Sequence, residues 1–229
     1  MPKNNALPFA LEIILTEEGT TTLYRSDIEE HYHSIYGAVQ ESMHVFIVAG
    51  LKQICAKRLK ILEIGFGTGL NVLLTMLNAD NKTIEYHAIE KYPLNEDIIE
   101  KINYPKYLLG IDNEKWYKKI HENKWNHNYH VEPWFFLKKI HADILDYHFE
   151  TKYDLVYFDA FAPNKQPELW DIEIFKKIYD SMNENAILTT YCSKGAVRRA
   201  MIQAGFNVEK VPGPNKKREM LVSKKVQIA

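Results

Sequence analysis

Four acidic residues, Glu63, Glu90, Asp143 and Asp159, fall at or near the ends of short apolar runs in this chain. A carboxylate at a strand end can accept both hydroxyls of a ribose, the exocyclic amine of a purine, or an ammonium group. Just after Glu63, residues 65–69 read Gly-Phe-Gly-Thr-Gly. Glycines so spaced let the backbone turn sharply and approach a ligand that any Cβ would repel. The spacing is G-x-G-x-G, because Leu70 stands where the dinucleotide fingerprint needs its sixth-position glycine. A carboxylate two residues before the first glycine serves a pyrophosphate poorly and the α-amino group of S-adenosylmethionine well. In this reading Glu63, Gly65, Gly67 and Gly69 face the methionine end of that cofactor. Glu90 takes the ribose hydroxyls and Asp143 the adenine amine. The plainer reading of one such acid is a cap for the next helix, but four in this order with the glycine loop are hard to explain as caps.

Asp159 opens Asp159-Ala160-Phe161-Ala162-Pro163, with Pro167, Leu169 and Trp170 close behind. Two prolines and the aromatics make a stiff, shaped loop beside the expected sulfonium. Methyl transfer to nitrogen is an in-line displacement, and a protonated amine has no free lone pair to react. A carboxylate that accepts a hydrogen bond from the amine favours its deprotonation and aims that lone pair. Phe161 offers a ring face to cationic charge. Asp159 and Phe161 are therefore the expected catalytic residues, against the alternative of a helix cap and a core phenylalanine.

The elements that must hold these groups alternate. Residues 59–64, 84–89, 129–140, 153–158, 186–191, 206–211 and 220–222 read as strands, with helical runs after Gly69 and over 195–204. Strands alternating with helices imply βαβ units, hence a Rossmann-like α/β fold with a mostly parallel seven-stranded sheet. Residues 1–56 read as an N-terminal extension, with a hairpin turning at Glu18-Gly19 and a helical apolar rhythm over 42–56. Residues 57–229 form the main domain, and the whole is expected to be one compact unit. A helical insertion at about 92–129, rich in Tyr, Trp, Lys and Asn, is either a lid or a segment packed through its own aromatics.

At 229 residues and 46 % apolar content the chain suits one soluble α/β domain with decoration. No apolar run is long enough to span a bilayer, and the first seven residues do not read as a secretory signal. Cys55 and Cys192, far apart, read as unpaired thiols of a reducing, cytoplasmic setting. The nine histidines are scattered and no metal site is expected. The net charge of −1 hides an asymmetry, for residues 190–229 carry +7 and the remainder −8. Such a basic lobe is either a solvated face or a footprint for a polyanion such as RNA.

The chain resembles the methyltransferase domain of the MnmC family over roughly residues 20–222. The likeness lies in Leu62 to Asn71 around the glycine loop and in Phe158-Asp159-Ala160-Phe161-Ala162-Pro163 with Pro167 and Trp170. It continues through Ser193, Gly195, Val197-Arg198-Arg199, Ala204-Gly205-Phe206 and Lys217-Arg218-Glu219-Met220-Leu221. Upstream, Tyr32, Ser34, Glu41 and Val45-Phe46 fall in the family's N-terminal pattern. The resemblance implies the S-adenosylmethionine-dependent methyltransferase fold and N-methylation of 5-aminomethyl(-2-thio)uridine at the wobble position of tRNA. Asp159 would be catalytic. Arg198, Arg199, Lys216, Lys217 and Arg218 would hold phosphates of the anticodon stem-loop, and Tyr32, Tyr36 or Phe161 would stack on the base. Many relatives carry a C-terminal oxidase domain that exposes the amine. This chain is expected to act alone in the methyl step, with separate enzymes making the precursor. Ala160 stands where glycine is common, and Tyr191-Cys192 also depart from the family pattern.

Two other functions fit the same fold. One is a methyl- or aminopropyltransferase acting on a small amine, which the basic tail disfavours because polyamines are cations. The other is a nucleotide-binding regulator without turnover, which an intact Asp159 disfavours.

Overall fold

The computed structural model of the protein describes residues 7–108, 110, 112–214 and 216–226. Residues 1–6, on which the expectation about a secretory signal largely rests, lie outside them. The chain opens with a hairpin of β1 (Leu11–Leu15) and β2 (Thr21–Arg25), joined at Gly19 as the sequence leads one to expect, and adds a two-residue β3 (Glu30–His31). The helical rhythm begins earlier than residue 42. α1 (Ala38–Ser42) runs straight into a π-helical turn, Met43–Val48, and a 3₁₀ turn, Leu51–Gln53.

There follow β4 (Arg58–Ile64), α2 (Leu70–Leu77), β5 (Thr83–Glu90), α3 (Glu96–Ile99), α4 (Tyr104–Tyr107), α5 (Asn113–Glu122), β6 (Asn128–Glu132) and β7 (Phe135–His141). The second half holds β8 (Tyr153–Phe158), α6 (Ile172–Asp180), β9 (Met182–Thr190), α7 (Gly195–Gln203), β10 (Asn207–Pro212) and β11 (Glu219–Lys224). Among the described residues the main sheet has eight strands in the order β10-β11-β9-β8-β4-β5-β7-β6. The five central strands are parallel; β6 runs antiparallel beside β7 at one edge, and at the other β11 runs antiparallel between β9 and β10, so β10 points the same way as the central five.

The eighth strand corrects the expected seven. Residues 129–140 are a hairpin rather than one strand, because Pro133 has no N–H to donate and the chain turns back at Pro133-Trp134. The insertion likewise forms three short helices, α3 to α5, rather than one or two.

Central strands buried on both faces read as nearly continuous apolar runs, and β8 does so, while β4 is interrupted by Lys60 and Glu63. Their side chains alternate between two cores. Ile61, Leu155 and Tyr157 join Phe46, Val72 and Leu73 on one face. Leu62, Ile64, Val156 and Phe158 join Phe175, Val197 and Met201 on the other. Leu23, Ala38, Val45 and Phe46 of the N-terminal extension pack within the first of these cores, so the extension shares its apolar burial with the sheet. No helix among the described residues is long and apolar enough to cross a membrane.

The parallel strands all end along one edge, at Ile64, Glu90, His141, Phe158 and Thr190. Strand order reverses about β4, whose neighbours β5 and β8 lie on opposite sides. Ligands of open α/β sheets bind in the crevice that such a reversal opens.

Candidate active site

The glycine loop leaves β4 through left-handed backbone at Gly65 (φ 92°) and Gly67 (φ 50°). A Cβ on Gly65 would sit 2.4 Å from the Asp159 carbonyl oxygen. That closeness is made by the hydrogen bonds tying the strand tips together: Gly65 N–H to Ile89 O and Asp159 N–H to Ile64 O, each 2.9 Å. A Cβ on Gly67 would meet the Tyr32 ring at 3.2 Å, so the N-terminal extension roofs the loop. Thr68 is braced from below. Its carbonyl accepts from Tyr117 Oη (2.9 Å) and His121 Nε2 (3.1 Å), and its hydroxyl contacts His33 Nε2 at 3.0 Å. Burial pushes the His121 imidazole down to about 3 and the His33 imidazole down to about 4, so both are neutral. The aromatics of the insertion therefore buttress the glycine loop, and of its described residues, 92–129, only Tyr92 at its start lines the cavity above it.

That cavity, of about 310 Å³, lies over the strand tips. Of the residues singled out from sequence, Gly65, Gly67, Glu90, Asp143, Asp159, Phe161, Tyr32 and Lys217 line it. Glu90 Oε2 accepts the Gly67 N–H at 3.0 Å and Oε1 accepts the Tyr92 N–H at 2.8 Å. Burial pushes this carboxyl up, and these N–H donors restrain the rise. Each oxygen keeps a lone pair for a hydroxyl. Burial alone would raise Asp143 too, but the Lys91 ammonium at 2.7 Å and the Leu145 N–H outweigh it and hold the carboxyl below its usual range.

Glu63 and Gly69 are not brought to the wall. Gly69 caps α2. Glu63 is fully buried and turned toward α2, where its Oε1 accepts Asn71 Nδ2 at 2.8 Å. Burial pushes its carboxyl well above the usual range, the Asn71 amide opposes the rise and the nearby Asp159 charge adds to it. The same Asn71 nitrogen donates to Asp159 Oδ2, also at 2.8 Å. Asp159 is half-buried at the cavity wall. Burial lifts its carboxyl to about 7, the Asn71 amide opposes the rise, the Glu41 charge adds to it and the Lys217 ammonium opposes it.

Phe161 meets Tyr32 edge to face at 5.0 Å, and its carbonyl is fixed by Trp170 Nε1 at 2.8 Å. The Arg25 guanidinium lies 5.4 Å from the Phe161 ring centroid. The basic residues divide. Lys217 reaches the cavity and pairs with Glu41 at 2.5 Å, and Lys216 lies 3.8 Å from the Tyr36 ring centroid. Arg198, Arg199 and Arg218 do not line the cavity. They stand at the same sheet edge, in the N-terminal half of α7 and in the β10–β11 loop, and Arg199 and Arg218 are exposed.

Asn71, Glu41, Tyr191 and Arg25 were given no role from sequence. Asn71 carried a usable signal, being a polar residue two positions past the last glycine in an otherwise apolar helix. Glu41 and Tyr191 come from distant segments, and nothing local announces their meeting. The residues present fit S-adenosylmethionine in two respects. The glycine loop leaves a cradle that side chains would fill, and Glu90 is a half-buried carboxylate at the cavity wall with acceptor capacity remaining.

Comparison with known proteins agrees with this geometry. Residues 113–226 match the model of a family described as S-adenosyl-L-methionine-dependent methyltransferase. The chain is similar to the tRNA 5-methylaminomethyl-2-thiouridine biosynthesis bifunctional protein MnmC of Burkholderia thailandensis, with 32 % identity over 92 % of this chain and 34 % of that protein. The protein of the same name from Leptospira interrogans is 30 % identical over 91 % of this chain and 34 % of its own length. The chain thus spans about a third of these curated relatives. Among solved structures, MNMC2 from Aquifex aeolicus superposes with a TM-score of 0.80 at 26 % identity, covering 96 % of this chain and 72 % of that one. Spermidine synthase from Thermotoga maritima, at TM-score 0.58 and 13 % identity over 94 % of this chain and 68 % of its own, shares the fold alone. The glycine cradle at the strand tips and matches of this extent together assign the chain to the MnmC-type family of S-adenosyl-L-methionine-dependent methyltransferases.

Proposed function

We propose that the protein N-methylates the primary amine of 5-aminomethyl(-2-thio)uridine at the wobble position of tRNA, giving the 5-methylaminomethyl form. The observation that carries this reading is Asp159, a carboxylate lifted to about 7 on the wall of the cavity that the glycine loop floors. A base poised near the working pH takes a proton from an alkylammonium most effectively. Bound S-adenosyl-L-methionine supplies an electrophilic methyl group carried on sulfur. Gly65, Gly67, Glu90 and Asp143 hold that cofactor, and Asp159 accepts the proton that the acceptor ammonium must lose before its nitrogen can attack. Phe161 and Tyr32 shape the acceptor side and exclude water from it, and Asn71 fixes the orientation of the Asp159 carboxyl.

The names of the relatives support a tRNA substrate, and the basic edge bearing Arg198, Arg199, Lys216, Lys217 and Arg218 suits the phosphates of an anticodon stem-loop. The aminomethyl precursor would come from separate enzymes, and a cytoplasmic setting follows from such a substrate. The test is incubation with labelled S-adenosylmethionine and tRNA carrying aminomethyluridine, followed by nucleoside mass analysis. One methyl gained at the wobble uridine is the expected result. Methylation of small amines with no gain on tRNA would overturn the substrate and retain the chemistry.

A further inference from the structure

The acceptor side of the cavity holds a second buried carboxylate that the reaction above does not use. Glu41, on α1, is 8 % exposed. Its Oε2 accepts the Ser34 N–H at 2.9 Å, and its Oε1 accepts Lys217 Nζ at 2.5 Å. Both side chains line the same cavity as Asp159, and both charges act on the Asp159 carboxyl. The partners are 176 residues apart in the chain. Lys217 arrives from the loop between β10 and β11, whose ends are held by Gly213 N–H to Arg218 O (3.2 Å) and Lys217 N–H to Pro214 O (2.9 Å). Its ammonium also lies 4.2 Å from the Tyr191 ring centroid.

The two ends of this ion pair differ in their access to water. The Glu41 side chain is 10 % exposed and that of Lys217 is 41 % exposed, with exposed Lys216 and Arg218 on either side of it. An incoming polyanion meets Lys217 from outside, whereas Glu41 is reached only from the cavity. A carboxylate this buried must keep a cationic or hydrogen-bonding partner, since an uncompensated buried charge is strongly destabilising.

We propose that Lys217 is an exchangeable counter-ion, which passes to a backbone phosphate of the acceptor and leaves Glu41 to bind the acceptor's ammonium beside Asp159. This rests on the aminomethyluridine reading and adds to it a basis for selectivity. A free amine without phosphates must displace Lys217 and offers it nothing in return. A tRNA without the aminomethyl group draws Lys217 away and leaves Glu41 unpaired. Each incomplete substrate is penalised by a charge it cannot satisfy, which is discrimination by repulsion as much as by attraction.

The swap predicts a reversal of sign between two acceptors. Lys217→Met keeps an unbranched side chain of similar length and removes the charge. Glu41→Gln keeps an oxygen for the Ser34 N–H. Equilibrium binding without cofactor, and then methylation, would be measured with 5-aminomethyluridine nucleoside and with an anticodon stem-loop carrying it. Lys217→Met should tighten the nucleoside by about fivefold and weaken the stem-loop by at least as much, with a shallower salt dependence. Glu41→Gln should weaken both, and adding Lys217→Met to it should give the nucleoside no gain. A Lys217→Met protein that weakens both acceptors alike, while the wild type methylates the stem-loop, overturns the swap alone. A wild type that neither binds nor methylates either acceptor overturns the proposed function and the swap with it.

Discussion

Asn71 Nδ2 lies 2.8 Å from Asp159 Oδ2, and the same nitrogen lies 2.8 Å from Glu63 Oε1. One amide thus spends both its protons on two acids, and the acids are driven apart in behaviour by where they sit. Glu63, deep beneath the glycine loop, has its carboxyl pushed up by burial, and its Oε2 has no hydrogen-bond partner among the described residues. Asp159, at the cavity wall, is left to titrate near neutrality. When like charges cannot both form in one site, the environment decides which carboxyl ionises.

Replacing Asn71 with alanine removes the donor that opposes the rise of the Asp159 carboxyl. The acidic limb of the pH profile of kcat/KM should then move to higher pH by about one unit, with the high-pH plateau better preserved than the rate at neutral pH. Loss of the buried amide should also cost about 1–3 kcal/mol of stability. A limb that stays in place while stability falls would reduce Asn71 to a packing residue.

Asp159→Asn should lower turnover by about 10²–10⁴-fold and stabilise the protein at alkaline pH. The carboxyl titrates at about 7 when folded, against 3.8 for its ordinary value. Between those values the folded state holds a proton that the unfolded chain has released, so stability falls as pH rises through the interval and stays lower above it. Asparagine removes that loss. Urea unfolding should show a gain of about 1–3 kcal/mol near pH 8 that shrinks toward pH 5. A uniform shift at both pH values would contradict the raised carboxyl.

How far the site was legible from sequence follows from how local each feature is. The glycine loop, the acids at the strand tips and the Asp159 loop are written in contiguous residues, and they line one cavity because parallel strands all end on the same edge. Glu63 was misplaced for a related reason. A strand tip says which residue ends the strand, but which side of the sheet its side chain takes depends on packing with α2. The 129–140 segment read as one strand because its apolar content continues across Pro133, and only pairing with β5 shows where the turn falls. The Lys217–Glu41 pair was out of reach, since it depends on the last hairpin docking onto the first helix.

Glu90→Gln tests the cofactor half by itself. The carboxylate accepts an N–H on each oxygen, whereas an amide can accept only one and must set its own NH₂ against the other donor. The Gly67 turn and the ribose contact should both suffer, and the dissociation constant for S-adenosylmethionine should rise by about tenfold or more by calorimetry. The pH limb that reports Asp159 should not move. Unchanged affinity would take Glu90 away from the ribose and leave it as a brace for the loop.

Arg198 and Arg199 stand outside the cavity, in the N-terminal half of α7 at the strand-tip edge. Any role they have in the reaction must be played at a distance from the methyl group, through phosphates. Replacing both with alanine should raise KM for tRNA by about 3–10-fold at low salt and leave kcat unchanged. The slope of log KM against log salt should become shallower by about one to two. Aminomethyluridine nucleoside, which has no phosphates, should be methylated as by the wild type. This is where α7 and the β10–β11 loop must differ in effect. Lys217 couples phosphate to amine through Glu41 and so moves the two acceptors in opposite directions, whereas the α7 arginines, with no carboxylate to release, should move tRNA alone.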